Sequence, residues 1–245
     1  MSLLLAFLLL GTNAAAPAAS DSACEHAAYL FFNRNQDPAW LDSAVAILGQ
    51  ARTRSPRDER CLYLWARVQL QLGEQAAGKA EKLGYYTRAR AVADTLRRLN
   101  DLNPDGHMWW ATAQGRIGQL AGMVRAAGMV RSIKREYLRT VELDSGYALA
   151  WYALGRLYRE LPGIVGGSRS KAEGFLKRGV EADPHSTVIR LELARLWLER
   201  GRRDEARIEL ERVLAEEQPT NPAEYVLSDR PAAEVLLRDL PPGQP

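Results

Sequence analysis

The residues able to do chemistry in this chain are few and scattered. Three histidines (His26, His107 and His185) and two cysteines (Cys24 and Cys61) are the only groups of those types in 245 residues. No H-E-x-x-H, G-x-S-x-G or Cys–His arrangement accompanies them, so metalloprotease, serine-hydrolase and thiol-enzyme chemistry have no footing. Cys24, His26 and Cys61 lack a fourth ligand and any recognised spacing for zinc. The expectation is a non-enzyme with no catalytic residue, no metal and no cofactor. The two cysteines either pair or stand as isolated thiols, and the sequence leaves both readings open. The glycines of Leu161-Pro162-Gly163-Ile164-Val165-Gly166-Gly167 are not followed by a P-loop Lys-Ser/Thr, so this segment reads as a turn.

Arginine is the abundant functional group, at 28 Arg against 5 Lys. Its planar fork of donors suits a carboxylate. The tract Arg125 to Arg139, with Arg131, Lys134 and Arg135, reads as a solvated helix face. A net charge of +3 gives no basic excess of the kind a nucleic-acid partner asks for.

The elements that must position these groups are helices. Ala and Leu total 71 residues and Val and Ile only 18, a balance that favours helix and argues against a Val/Ile-rich sheet. Turn signals recur at Ser55-Pro56, Asn103-Pro104, Asp144-Ser145, Asp183-Pro184 and Gln218-Pro219, and each closes a helical stretch because proline cannot continue one. Paired amphipathic segments lie between them. In the last two units, Trp151, Leu154, Gly155, Tyr158, Ala172, Leu176 and Pro184 align with Arg190, Leu193, Ala194, Trp197, Ala206, Leu210 and Pro219.

Trp151-x2-Leu154-Gly155-x2-Tyr158 matches the opening of the tetratricopeptide repeat, and the sequence resembles that family. The resemblance implies an all-α, tetratricopeptide-like α-solenoid of about five antiparallel helical hairpins with a short C-terminal helix after Pro231. The small residue of each hairpin crossing moves from Ala66 to Gln114 to Gly155 to Ala194, steps of 48, 41 and 39 residues, where the family repeats every 34 or so. Long inter-helix insertions are therefore expected at 75–86, 118–128 and 162–169. Extended helices fit the first two equally well, whereas the third can only be a loop. Across about residues 85–215, the Trp109-Trp110 helix and the Tyr158–Gly167 segment resemble exported bacterial tetratricopeptide proteins. These include the T component of tripartite ATP-independent periplasmic (TRAP) solute transporters. More loosely, the chain is similar to the regulators of microtubule dynamics.

A solenoid of this kind presents a concave groove, and the repeat register places Arg60, Tyr63 and Arg67 in it from one hairpin. Tyr152, Arg156 and Arg159 come from another, and Arg195 from the last. This arginine–tyrosine lining implies an acidic peptide, a terminal carboxylate or a small carboxylate as ligand. Pairing of the same arginines with Glu or Asp across helices is the competing reading. Small residues beside Trp109 and Trp110, namely Gly115 and Gly118, leave space for a pocket. The implied function is a protein- or peptide-binding scaffold, with a periplasmic substrate-binding protein as one partner and a transport accessory as one role. A small-carboxylate carrier is the alternative.

Residues 1–10 form an uncharged apolar run followed by Ala14-Ala15-Ala16 and Ala16-Pro17-Ala18, the pattern of a cleaved signal peptide. The run is too short to span a bilayer, and Cys24 lies too far beyond it to accept a lipid. The expected organisation is a leader over 1–18, one solenoid domain over 19–240 and a disordered tail over 241–245. The mature product is expected to be soluble and exported to the bacterial periplasm.

Overall fold

The structure, a computed structural model, describes residues 19–241. The leader expected over 1–18, and all but Pro241 of the expected tail, lie outside the described residues. Those residues are helical throughout, with no strand among them. Ten helices form five antiparallel hairpins: α1 (Ala19–Phe32) with α2 (Trp40–Arg54), α3 (Glu59–Gln75) with α4 (Lys79–Leu99), α5 (Pro104–Ala121) with α6 (Met123–Leu143), α7 (Ala148–Glu160) with α8 (Arg169–Ala182), and α9 (Thr187–Glu199) with α10 (Arg203–Leu214). A single turn, α11 (Pro222–Glu224), then leads through a π-type turn (Tyr225–Asp229) into α12 (Arg230–Arg238).

One device joins successive hairpins. Asn100, Asp144 and Asp183 leave the preceding helix in an extended conformation, and Ser55 leaves it at φ −134° and ψ 74°. Each carbonyl then accepts from the N–H three residues on, at Asp58, Asn103, Tyr147 and Ser186. Three of the four add a side-chain bond: Asn100, Asp144 and Asp183 accept from the N–H of Leu102, Gly146 and His185 at 3.1, 2.9 and 3.1 Å, the Asx-turn geometry that makes Asn and Asp frequent here. Asp58 caps α3, and Asn103 caps α5 with Pro104 in the first helical position, where a missing N–H loses nothing.

The first two expected insertions are not loops. Residues 75–86 and 118–128 are absorbed into longer helices, so α3 to α6 run 17, 21, 18 and 21 residues where α7 to α10 run 13, 14, 13 and 12. Gly122 alone turns the chain between α5 and α6, at φ +89°, a left-handed conformation open to glycine. Leu161–Ser168 is a real loop. Its N–H groups at Val165, Gly166, Gly167 and Ser168 bond to carbonyls of the same segment or of Tyr158, which leaves them unavailable to an anion. Ile164 at its tip is 96% exposed.

Longer helices need a second point of close approach. In the α7–α8 hairpin a single one suffices, where Gly155 receives the Leu176 side chain. In α3–α4 the approach recurs two turns past Ala66, at Gly73, where a Cβ would stand 2.4 Å from the ring of buried Tyr86. Gly73→Ala is expected to lower stability by about 1–3 kcal/mol, as overpacking of a filled core does. That is a fall in melting temperature of roughly 2–4 °C per kcal/mol, readable by calorimetry.

The C-terminal segment closes the last hairpin. Ala233 of α12 is fully buried, and Asp229 is 3% exposed with Thr187 Oγ1 donating to it at 2.7 Å. Burial pushes the Asp229 carboxyl up to about 6. The folded state thus holds this proton more tightly than the unfolded chain, so the associated stability is present below the ordinary Asp value and lost as pH rises to about 6. Asp229→Asn is expected to flatten that fall and to stabilise the protein at pH 7, by at most about 3 kcal/mol. Urea denaturation at pH 4 and pH 7 measures both.

Candidate functional site

Tyr63, Arg67 and Gln71 recur at four-residue spacing on α3 and so form one stripe. Arg67 is half-buried. Its guanidinium carbon sits 4.5 Å from the ring centroid of Phe32, 4.8 Å from Trp109, 5.5 Å from Phe31 and 5.6 Å from Tyr63. One nitrogen donates to Tyr63 Oη at 2.7 Å. Among the described residues Arg67 makes no ion pair within 4.0 Å. Four rings fix the cation by its faces while leaving in-plane donors over.

Asp105, in the first turn of α5, is the neighbouring acid. Tyr147 Oη donates to it at 2.5 Å and Trp109 Nε1 at 3.4 Å. Burial pushes the Asp105 carboxyl above its ordinary value, against these two donors and the charge of Arg67. Burial, then the adjacent Asp105, push the Tyr147 phenol well up, so Tyr147 stays a protonated donor. Two concavities share Tyr63 and Asp105. One of about 370 Å³ is walled by Cys24, Glu25, Glu59 and Arg60. The other, about 540 Å³ and open along its length, runs past Arg67 to Asp144, Tyr147, Leu149 and Asp183.

The remaining expected site residues are placed differently. Arg60 pairs with Glu25 at 2.9 Å on the surface. Arg159 stands 3.1 Å from Glu192 and 3.4 Å from Glu199. Arg156 pairs with Glu160, lies 3.8 Å from Glu192 and donates to Tyr152 Oη at 3.3 Å, and Arg195 lies 3.8 Å from Glu192. Glu192 is 2% exposed, so three of the expected groove arginines converge on one buried carboxylate, which lies in the next hairpin from Arg156 and Arg159 and on the same helix as Arg195. Trp109 belongs to the Arg67 cage, whereas Trp110 lies under Arg97 at 5.0 Å. Gly118 packs near Ala126 and Met129, and Gly115 faces open space. Trp110, Gly115 and Gly118 border neither concavity.

Cys24 and Cys61 are joined as a disulfide across 37 residues, with Cα atoms 5.5 Å apart, which ties α1 to α3. With Asp58 they form the one cluster of metal-ligand spacing among the described residues, and the bond consumes both sulfurs. The histidines stay apart. His107 is buried in a structural network, its ring nitrogens 2.8 Å from Glu136 and 2.9 Å from the Asp101 carbonyl. Burial alone would raise the Glu136 carboxyl, but hydrogen bonds from His107, Arg135 and Arg97 hold it below its ordinary value.

Sequence reasoning missed Phe31, Phe32, Asp105 and Tyr147. Asp105 and Trp109 at four-residue spacing were a weak signal for one contact. Tyr147 lies 42 residues from Asp105, and nothing local announces that pairing.

A family profile described as regulator of microtubule dynamics protein 1-3 matches residues 26–164, more than half of the chain. A tetratricopeptide repeat profile matches residues 167–227. No curated protein matches the sequence. Among solved structures, the chain is similar to TTC0263, a thermophilic tetratricopeptide protein of Thermus thermophilus. The two share 22% identity over 87% of this chain and 98% of that one, with a TM-score of 0.67, a likeness of fold. PilF of Pseudomonas aeruginosa is similar at 15% identity, over 92% and 95% of the two chains, with a TM-score of 0.47. No helix among the described residues is long and apolar enough to cross a membrane.

Proposed function

The chain belongs to the regulator of microtubule dynamics protein 1-3 family, and from its geometry we propose that it is a non-catalytic scaffold that binds an extended segment of a protein partner in the α3–α5–α7 groove. A carboxylate of that segment, terminal or on a side chain, sits on Arg67. The observation that carries this reading is that Arg67 lies in the groove without a carboxylate of its own, while Arg60, Arg156, Arg159 and Arg195 each have one. The aromatic cage supports it, since a guanidinium already held in place loses little freedom on binding.

The same groove carries Asp144 and Asp183. Both are acidic side chains engaged in turns, so a partner that is acidic throughout is disfavoured. The segment that fits has a carboxylate at the Arg67 end and a basic or N–H-rich stretch beside the two aspartates. A screen of peptides in free-acid and C-terminally amidated form against the full chain tests this. The expected binders lose at least about tenfold in affinity, or 1.4 kcal/mol, when the carboxylate they place on Arg67 is capped or changed to an amide. Binders indifferent to every carboxylate would overturn it.

The proposal extends to compartment. Residues 1–18 would act as a cleaved leader, and the Cys24–Cys61 bond supports delivery to an oxidising space. Amino-terminal sequencing of the mature protein should find a start after Ala16 or Ala18, and retention of Met1 would contradict export.

A further inference from the structure

A solenoid repeat touches only its neighbours, so its two ends are normally independent of each other. Here they meet. Arg34, in the turn after α1, is 6% exposed. It donates to the Phe31 carbonyl at 2.8 Å and to Gln71 Oε1 at 3.2 Å. Its remaining partner is Glu224, an ion pair and hydrogen bond across 190 residues of sequence. A buried guanidinium needs such a partner, because an uncompensated charge inside a protein is far costlier than the same charge in water.

The acid is held out for this contact by local structure. Asn221 caps α11, its side chain accepting from the Glu224 N–H at 3.3 Å, and Pro222 occupies the first helical position. Ala223 beside it is fully buried. The turn is therefore an ordered projection from α12, which itself packs on α10.

The place of contact matters for the groove. Gln71 lies one turn beyond Arg67 on the α3 stripe. The Phe31 ring stands between the two cations, 4.8 Å from the Arg34 guanidinium and 5.5 Å from that of Arg67. We propose that Arg34 and Glu224 form a clasp that ties the α11 turn near the C-terminal end onto the first hairpin, closing the solenoid across its concave side and stopping the groove at Gln71. Release of the clasp lengthens the groove by one helical turn and turns a second arginine toward it. This closure does not depend on what Arg67 binds.

Charge reversal in the oxidised full-length protein tests the clasp, with hydrogen–deuterium exchange read separately over residues 29–36 and 221–229. Glu224→Arg is expected to speed exchange at least about tenfold in both segments and to leave α7 and α8 unchanged. The paired reversal Arg34→Glu with Glu224→Arg is expected to bring both segments back toward wild-type protection. Faster exchange confined to 221–229, or a paired variant no better protected than the single ones, would overturn the proposal. Should Arg34→Glu disrupt the first hairpin, Glu224→Ala decides alone. It removes a side chain that is one-third exposed, and wild-type protection at 29–36 in that variant would equally overturn the clasp.

Discussion

Glu192→Ala is expected to destabilise the protein by about 3–5 kcal/mol, the usual consequence of removing one partner from a buried ion pair. The carboxylate lies between Arg159 at 3.1 Å and Arg156 and Arg195 at 3.8 Å, so its removal leaves three cations facing each other with Glu160 and Glu199 as the nearest remaining acids. Burial pushes the Glu192 carboxyl above its ordinary value despite those arginines, because desolvation disfavours the charged form. Much of its worth is therefore packing rather than net attraction, since Glu192 Oε1 is buried without a hydrogen-bond partner among the described residues. Glu192→Gln, which keeps the shape, is expected to cost less than about half as much as alanine. Urea unfolding of the two variants side by side checks both figures. Equal and negligible losses would mean that the arginine cluster is free to serve a ligand.

Breaking the Cys24–Cys61 bond is expected to have the second large effect. The bond closes 37 residues, and loss of loop-closure entropy in the unfolded chain amounts to about 4 kcal/mol for a loop of that length. The first hairpin should respond most, since the disulfide is its one covalent tie to α3, beside the Arg34–Glu224 contact, the exposed Glu25–Arg60 pair and the Arg67 cation on Phe31 and Phe32. Thermal unfolding of the Cys24→Ser/Cys61→Ser double variant should show α1 and α2 lost first, at a melting temperature lower by roughly 8–15 °C. A shift under a degree or two would show that packing of α1 against α3 holds the hairpin unaided.

Most of the architecture was readable from residue types. Trp151, Leu154, Gly155 and Tyr158 gave the register of one hairpin, and the Asx and proline turns gave the boundaries of the others. The boundary between long helix and insertion was not readable. Gly115, Gly118, Gly122 and Gly128 look like loop residues, yet only Gly122 leaves the helix, while Gly118 lets α6 approach. Composition reports that glycine is present, and tertiary packing decides why.

The site was readable in part, for a related reason. The repeat register placed arginines on the concave face without revealing which of them find acids there. That depends on what the neighbouring hairpins supply: Glu192 for Arg156 and Arg159, but Phe31, Phe32 and Trp109 for Arg67. A pattern of 34 or so residues carries no information about such cross-repeat partners.

The sharpest test of Arg67 as the partner anchor is the affinity of one groove-binding peptide for wild type, Arg67→Glu and Arg195→Glu, measured by fluorescence anisotropy. Arg67→Glu is expected to weaken binding by about 10- to 100-fold, and Arg195→Glu to leave it within about twofold. Equal losses in the two variants, or a loss at Arg195 alone, would contradict the assignment.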